Sequence, residues 1–308
     1  MAANHDTVML HEAVNSLVGN PAGFYVDGTF GRGGHSREIL SRLDDGGRLL
    51  AFDKDEEAER VALELQQEDS RFSFYRGSFA DLPSVLANGE TSAVDGVLLD
   101  LGVSSPQLDV AERGFSFQQD GPLDMRMDRS KGQTAAEWIA DAPEAEIIEV
   151  LRDYGEGRYA RRIASAIVAA RDENAFTRTG QLASVVKAAH PRWEKHKHPA
   201  TRAFQAIRIR VNRELDDLSV LLEAALPLPS VGGRLVVISF HSLEDRLVKR
   251  QFRDLARGPQ LPRGIPVTDV EQGARLKLLG KAVRPSDAEV DENPRARSAI
   301  MRCAERVA

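Results

Sequence analysis

Four glycines fall within seven residues in Gly28-Thr29-Phe30-Gly31-Arg32-Gly33-Gly34, between the apolar run Phe24-Tyr25-Val26-Asp27 and the helix-like stretch 36–43. Strand, glycine turn, helix is how an α/β domain presents backbone N–H groups and a positive helix end to a ligand. About twenty residues on, Arg48-Leu49-Leu50-Ala51-Phe52 reads as a second strand ending in Asp53, an acid placed to accept hydrogen bonds from ribose hydroxyls. The first strand also ends in an acid, Asp27. At the mouth of that strand it would repel a pyrophosphate at close range. A ligand with a ribose, a cationic end and no phosphate tolerates it. S-adenosylmethionine has that combination.

The 308 residues allow one large domain or two modest ones. Hydrophobic content of 42% beside 29% charge fits a soluble globular chain. No apolar run approaches the roughly 20 residues of a membrane helix, and residues 1–10 lack a basic segment followed by an apolar one, so neither a membrane span nor a signal peptide is expected. Cys303 is the single cysteine. It excludes an internal disulfide and a thiolate metal cluster, suits the reducing cytoplasm, and beside Met301 reads as a small packed hydrophobe.

The net charge of −6 hides an uneven distribution. Residues 190–213 carry Arg192, Lys195, Lys197, Arg202, Arg208, Arg210 and Arg213 against Glu194; residues 246–257 carry Arg246, Lys249, Arg250, Arg253 and Arg257 against Asp254. Basic faces on an acidic body can bind a structured polyanion selectively. The same pattern also describes a solvated helix face.

Further strands are expected at 72–76, 94–101 and 233–240, with a helix over 56–67 between the second and third strands. Apolar strands alternating with helices indicate a parallel sheet covered on both faces. Between 102 and 226 strand signals vanish. Thr134-Ala135-Ala136-Glu137 is a capping box, Pro143 opens a second helix at its first position, and helical stretches follow at 158–172 and 181–190. One long helix is expected to carry Phe204, Ile207, Val211, Leu215, Leu218 and Leu222. The pattern is that of a discontinuous α/β sheet domain, 1–108 and 216–308, interrupted by an all-α insert, 109–215.

Several motifs occur in order along nearly the whole chain: Asp27-Gly28-Thr29-Phe30-Gly31-Arg32-Gly33-Gly34-His35, Asp100-Leu101-Gly102-Val103-Ser104-Ser105-Pro106-Gln107, Arg113-Gly114-Phe115-Ser116-Phe117, Leu123-Asp124-Met125-Arg126-Met127-Asp128, Phe204-Gln205-Ala206-Ile207-Arg208-Ile209, Ser239-Phe240-His241-Ser242-Leu243-Glu244-Asp245-Arg246, and Asn293-Pro294-Arg295-Ala296-Arg297-Ser298-Ala299. In these the chain resembles the bacterial small-subunit ribosomal RNA cytosine-N4 methyltransferases, the MraW (RsmH) family. The resemblance implies a Rossmann-like class I S-adenosylmethionine-dependent sheet domain. It also implies methylation of the exocyclic N4 of one cytidine, cytidine 1402, in the decoding region of 16S rRNA. The implied partner is 16S rRNA within the small ribosomal subunit, with no membrane, in the cytoplasm, and with either a monomer or a homodimer allowed. Carried over by motif, the cofactor contacts are Gly33, Gly34 and His35 at the loop, Asp53 on the ribose, Phe79 beside the adenine, and Asp100 and Gln107 after the fourth strand. Many base-amino methyltransferases carry an Asn/Asp-Pro-Pro-aromatic tetrapeptide at that strand end. Here Asp100-Leu101-Gly102-Val103 stands instead, as in the family resembled.

Asp100 ends a central strand at the carboxyl edge, where open α/β sheets bind ligands, and is the first candidate for the chemistry; a loop cap is its structural alternative. His241 follows the 233–240 strand at the same edge and could orient the base or take its proton, as readily as serve structure. His35 heads the first loop helix and shapes the loop. Trp138 is a candidate platform for a flipped cytosine, or core. Arg208 and Arg210 are candidate phosphate contacts. His196-Lys197-His198 lacks acid or cysteine partners at ligand spacing, and no metal is expected there. Two rival readings are a nucleotide-cofactor oxidoreductase, disfavoured by Asp27 and by the absent Gly-x-Gly-x-x-Gly spacing, and a non-catalytic ribosome-binding module, which has no need of the loop, Asp53 and Asp100 together.

Overall fold

The computed structural model describes residues 7–89, 93–191, 198–224, 229–257 and 273–308. The chain divides into two compact units, Met1–Gly102 with Leu215–Ala308, and Val103–Glu214.

The first unit is built on a seven-stranded sheet: β1 Phe24–Asp27, β2 Arg48–Asp53, β3 Phe72–Arg76, β4 Val94–Asp100, β5 Pro229–Ser239, β6 Leu276–Leu278 and β7 Ile300–Arg306. Their order is β3-β2-β1-β4-β5-β7-β6. The first five run parallel, while β7 is antiparallel to both β5 and β6. The doubly wound, Rossmann-like character is visible in the side chains. Successive residues of a strand face opposite sides. Leu49, Ala51, Leu98, Val236 and Ile238 therefore enter one core with helices Leu10–Leu17, Gly34–Arg42 and Glu56–Glu68, while Leu50, Phe52, Val97, Leu99, Leu235 and Val237 enter a second core with Leu82–Ala87 and Ser242–Arg257. A strand buried on both faces reads as a continuous apolar run, as in Val97-Leu98-Leu99. Each such side chain contributes about 1.5–3 kcal/mol by leaving water. The strand order reverses between β1 and β4, the switch point at whose carboxyl ends open α/β sheets bind their ligands.

The second unit is helical: Ser105–Asp109, Ala135–Asp141, Glu144–Asp153, Ala160–Glu173, Thr179–Ala189 and Ala200–Asn212. It has its own core, including Trp138, Ile147, Ile163, Ile167, Leu182, Val186 and Phe204. The Thr134 capping box is present: Glu137 N–H donates to Thr134 Oγ1 at 3.1 Å, and Thr134 N–H to Glu137 Oε2 at 2.8 Å. Pro143 sits one residue earlier than expected, at the cap of Glu144–Asp153.

The long helix expected from Phe204 to Leu222 is two helices, Ala200–Asn212 and Glu214–Ala224, broken at Arg213, whose φ is +55°. Asn212 explains the break. Its Nδ2 donates to the carbonyls of Met125 (2.8 Å) and Arg208 (2.9 Å), and its Oδ1 accepts Met127 N–H (2.7 Å), tying the helix end to a neighbouring loop. No helix among the described residues is long and apolar enough to cross a membrane.

Candidate active site

Three strand-end acids and one glycine loop meet at the carboxyl ends of β1, β2 and β4. Gly31 (φ +56°) and Gly33 (φ +79°) take left-handed conformations that turn the chain from β1 into Gly34–Arg42. The loop is also tightly covered. A Cβ on Gly28 would run into the Leu99 side chain and lie 3.0 Å from Phe79 Cβ, and a Cβ on Gly34 would strike the Thr7 side chain. Phe79 is thereby held beside the loop. It is half-buried at the head of the short turn Phe79–Asp81, which Ser78 caps.

Asp27 lies wholly beneath this loop. Its carboxylate accepts Thr29 N–H (3.1 Å) and the Ser36 hydroxyl (2.7 Å), and burial pushes its pKa up to about 6 against the opposing effect of those bonds. Asp53 reaches back from β2 to accept Gly31 N–H on Oδ2 (2.8 Å), and Asp55 N–H on Oδ1 (2.9 Å). Burial raises its pKa as well. These bonds fix the Asp53 carboxylate between the glycine loop and the turn that follows β2.

Asp100 stands at the end of β4. Its N–H donates to Thr29 Oγ1 (2.6 Å), and Oδ2 lies 3.7 Å from His35 Nδ1. Oδ1 is inaccessible and has no hydrogen-bond partner among the described residues, although the side chain as a whole is 23% exposed. Burial holds Asp100 well above the usual carboxylate range, and the neighbouring charges of Asp27, Glu244 and Glu289 push it further. An unsatisfied carboxylate amid like charges is what a cation relieves. The acids present at these strand ends are compatible with the cationic end of S-adenosylmethionine.

Glu244, which stands within a sequence motif, and Glu289 are not among the candidate site residues read from the sequence. Glu244, buried in the first turn of Ser242–Arg257, accepts the N–H groups of Phe240 (2.9 Å) and His241 (3.2 Å) on Oε2, while its Oε1 lies 3.1 Å from His241 Nε2. It seats His241 at the carboxyl end of β5. Glu289 arrives from the far end of the chain and accepts Met9 N–H at 2.6 Å. Glu244 stands three residues after a histidine at a helix start, a spacing that could have signalled it; nothing local marks Glu289.

The remaining candidates belong to the helical unit. Gln107 is buried, and its Oε1 accepts Ser104 N–H (3.0 Å), so this oxygen caps its own helix. Trp138 requires a correction: it is 4% exposed within the helical core, and its indole N–H donates to Glu146 Oε1 at 2.9 Å. Neither ring face is open to a base. Arg208 forms a two-point pair with Glu214 (2.8 and 2.9 Å), and Arg210 pairs with Glu146 at 3.0 Å. Both guanidinium groups are committed to protein carboxylates. Arg192, Lys195, His196 and Lys197 lie outside the described residues; His198 packs on the Phe117 ring at 4.6 Å. Burial pushes the Cys303 thiol up to about 11, in keeping with a packing role.

The model of the MraW methylase family matches residues 2–307. The chain is 58% identical over 309 residues to the ribosomal RNA small subunit methyltransferase H of Thioalkalivibrio sulfidiphilus, covering 100% of this chain and 98% of that one. Among solved structures it aligns with a putative rRNA-methylase from Clostridium thermocellum (10% identity, 96% and 95% of the two chains, TM-score 0.45). A second alignment is with an rRNA methylase from Streptococcus thermophilus (10%, 96% and 92%, TM-score 0.39). The oxidoreductase and non-catalytic readings both fall on the family match. With a family model spanning nearly the whole chain and a relative 58% identical over nearly its full length, this protein belongs to the MraW methylase family and is a methyltransferase using S-adenosylmethionine.

Proposed function

We propose that this enzyme methylates the exocyclic N4 of a single cytidine, cytidine 1402, in the decoding region of 16S rRNA, acting in the cytoplasm on the small ribosomal subunit or its RNA. The name of the 58%-identical relative supports the small-subunit rRNA substrate. The observation that carries the chemistry is the partly exposed Asp100 carboxylate at the switch point of the sheet.

The bound donor supplies an electrophilic methyl group on a sulfonium. What the chain must do is hold N4 about 3 Å from that carbon and in line with the breaking C–S bond, a positioning effect able to supply several kcal/mol. The cytosine amino lone pair is delocalised into the ring. A carboxylate accepting one amino N–H favours a pyramidal, nucleophilic nitrogen, and the partly exposed carboxylate of Asp100 is the acceptor at that edge. His241, seated by Glu244, takes the proton released from N4. The helical unit, Val103–Glu214, recognises the RNA.

Mass spectrometry of 16S rRNA from cells lacking the protein tests this reading. Incubation with pure enzyme and donor should add one N4-methylcytidine per molecule at position 1402. Methylation elsewhere, or none on either free rRNA or subunits, refutes it.

A further inference from the structure

Helix Ala160–Glu173 starts with charges that do nothing for the fold. Arg158 precedes it, Arg161 and Arg162 lie in its first turn, and all three are exposed. Arg158 lies in the turn before the cap residue Tyr159, and Arg161 and Arg162 are adjacent in the first turn, so the three cluster in sequence at the helix start. The first turn holds no acid. Among the described residues, no ion pair or hydrogen bond engages any of the three guanidinium groups. Asp153 is taken by Arg152, and Glu156 is engaged with other groups. A helix N-terminus is itself positive, so three cations there repel both the helix end and one another. Beside them Tyr159, half-buried at the helix cap, meets the His190 ring edge-on at 5.0 Å. Arg208 and Arg210, by contrast, already have carboxylate partners.

We propose that Arg158, Arg161 and Arg162 form the phosphate-contacting patch of the helical unit, with Tyr159 beside it to stack on a base of the bound RNA. The planar guanidinium fork matches phosphate, and an aromatic ring set among arginines suits unpaired nucleotides. This deepens the rRNA reading and rests on it: the patch is where the substrate backbone lies.

The test is fluorescence anisotropy with a labelled transcript of the 16S decoding region, titrated at several potassium chloride concentrations. Each phosphate contact contributes about 0.7–0.9 to the slope of log affinity against log salt. The triple variant Arg158→Gln, Arg161→Gln, Arg162→Gln should flatten that slope by about two to three. S-adenosylhomocysteine affinity by calorimetry should stay unchanged, and the thermal midpoint should hold or rise as the repulsion is removed. Arg161→Glu alone should move the slope in the same direction. An unchanged slope in both variants, or a loss that tracks a fallen thermal midpoint, overturns the patch. An unchanged RNA slope with weakened binding of polyglutamate assigns it to an acidic protein instead. A wild-type enzyme that binds the transcript but never methylates 16S rRNA sinks the substrate reading, whatever the variants do.

Discussion

Asp27→Asn tests whether the acid beneath the glycine loop is held there against its own preference. Asp27 is fully buried, with a pKa of about 6 in the folded chain against 3.8 ordinarily. Between these values the folded chain keeps a proton that the unfolded chain has lost. Stability therefore falls as pH rises from about 4 to 6, and is fully restored only below the unfolded value; the difference amounts to about 3 kcal/mol. Asparagine keeps a carbonyl for Thr29 N–H and offers its amide to Ser36 Oγ, so the geometry survives while the titration is removed. Urea unfolding of both chains, followed by circular dichroism at pH 4.5, 6 and 7.5, gives the comparison. Relative to wild type, the variant should gain about 2 kcal/mol between the lowest and highest pH, because the window takes in only the part above pH 4.5 of the interval from 3.8 to about 6. Comparing the two chains removes most of the contribution of Asp53 and Asp100, which also titrate upward. Donor affinity at pH 7.5 should weaken, because one negative charge near the cation is lost. Stability curves that run parallel across this window would show that the ionised Asp27 costs the fold nothing, and the reasoning from burial would fail.

Asp100→Asn should slow single-turnover methylation at saturating donor by at least about tenfold, or 1.4 kcal/mol of barrier, and a near-wild-type rate would remove it from the chemical step. Glu244→Gln should lower the same rate while leaving S-adenosylhomocysteine affinity intact, and added imidazole should restore part of the activity of His241→Ala; absence of rescue argues against proton acceptance by that ring. Trp138→Phe should cost about 1–2 kcal/mol by orphaning its share of Glu146, with RNA affinity unchanged at temperatures where the variant is folded. Lost RNA binding at full stability would return Trp138 to the recognition surface.

What sequence reveals here follows from how local each feature is. β1, β2 and β4 are apolar runs ended by Asp27, Asp53 and Asp100, and the glycines between the first two leave one reading of the turn. β6 and β7 escaped because they are antiparallel strands at one side of the sheet. Leu276-Lys277-Leu278 is too short for a pattern, and Ile300–Arg306 mixes polar residues into its run. The break at Arg213 carries no glycine or proline; it follows from bonds Asn212 makes to Met125 and Met127, far back in the chain. The same holds at the site. Asp100 was legible as a strand end, but the acids that set its charge come from helix Ser242–Arg257 and from Glu289. Trp138 and Arg210 looked like ligand-facing groups because their shared partner, Glu146, becomes visible only in the fold.

β4 and β5 are hydrogen-bonded neighbours, Asp100 beside Ile238, yet the chain makes the whole helical unit between them. That connectivity has a kinetic consequence. Joining the two strands means closing a very long loop, and the entropy of closure must be met before any ladder bond rewards it. Helices built on near-neighbour contacts form quickly, and a helical unit already compact shortens the chain left to close. Sheet completion is thus the late event, timed by a part of the molecule that contributes no strand to it. Ile163→Ala, deep in the helical core, should slow the pairing of β4 with β5 without altering a single contact in the sheet.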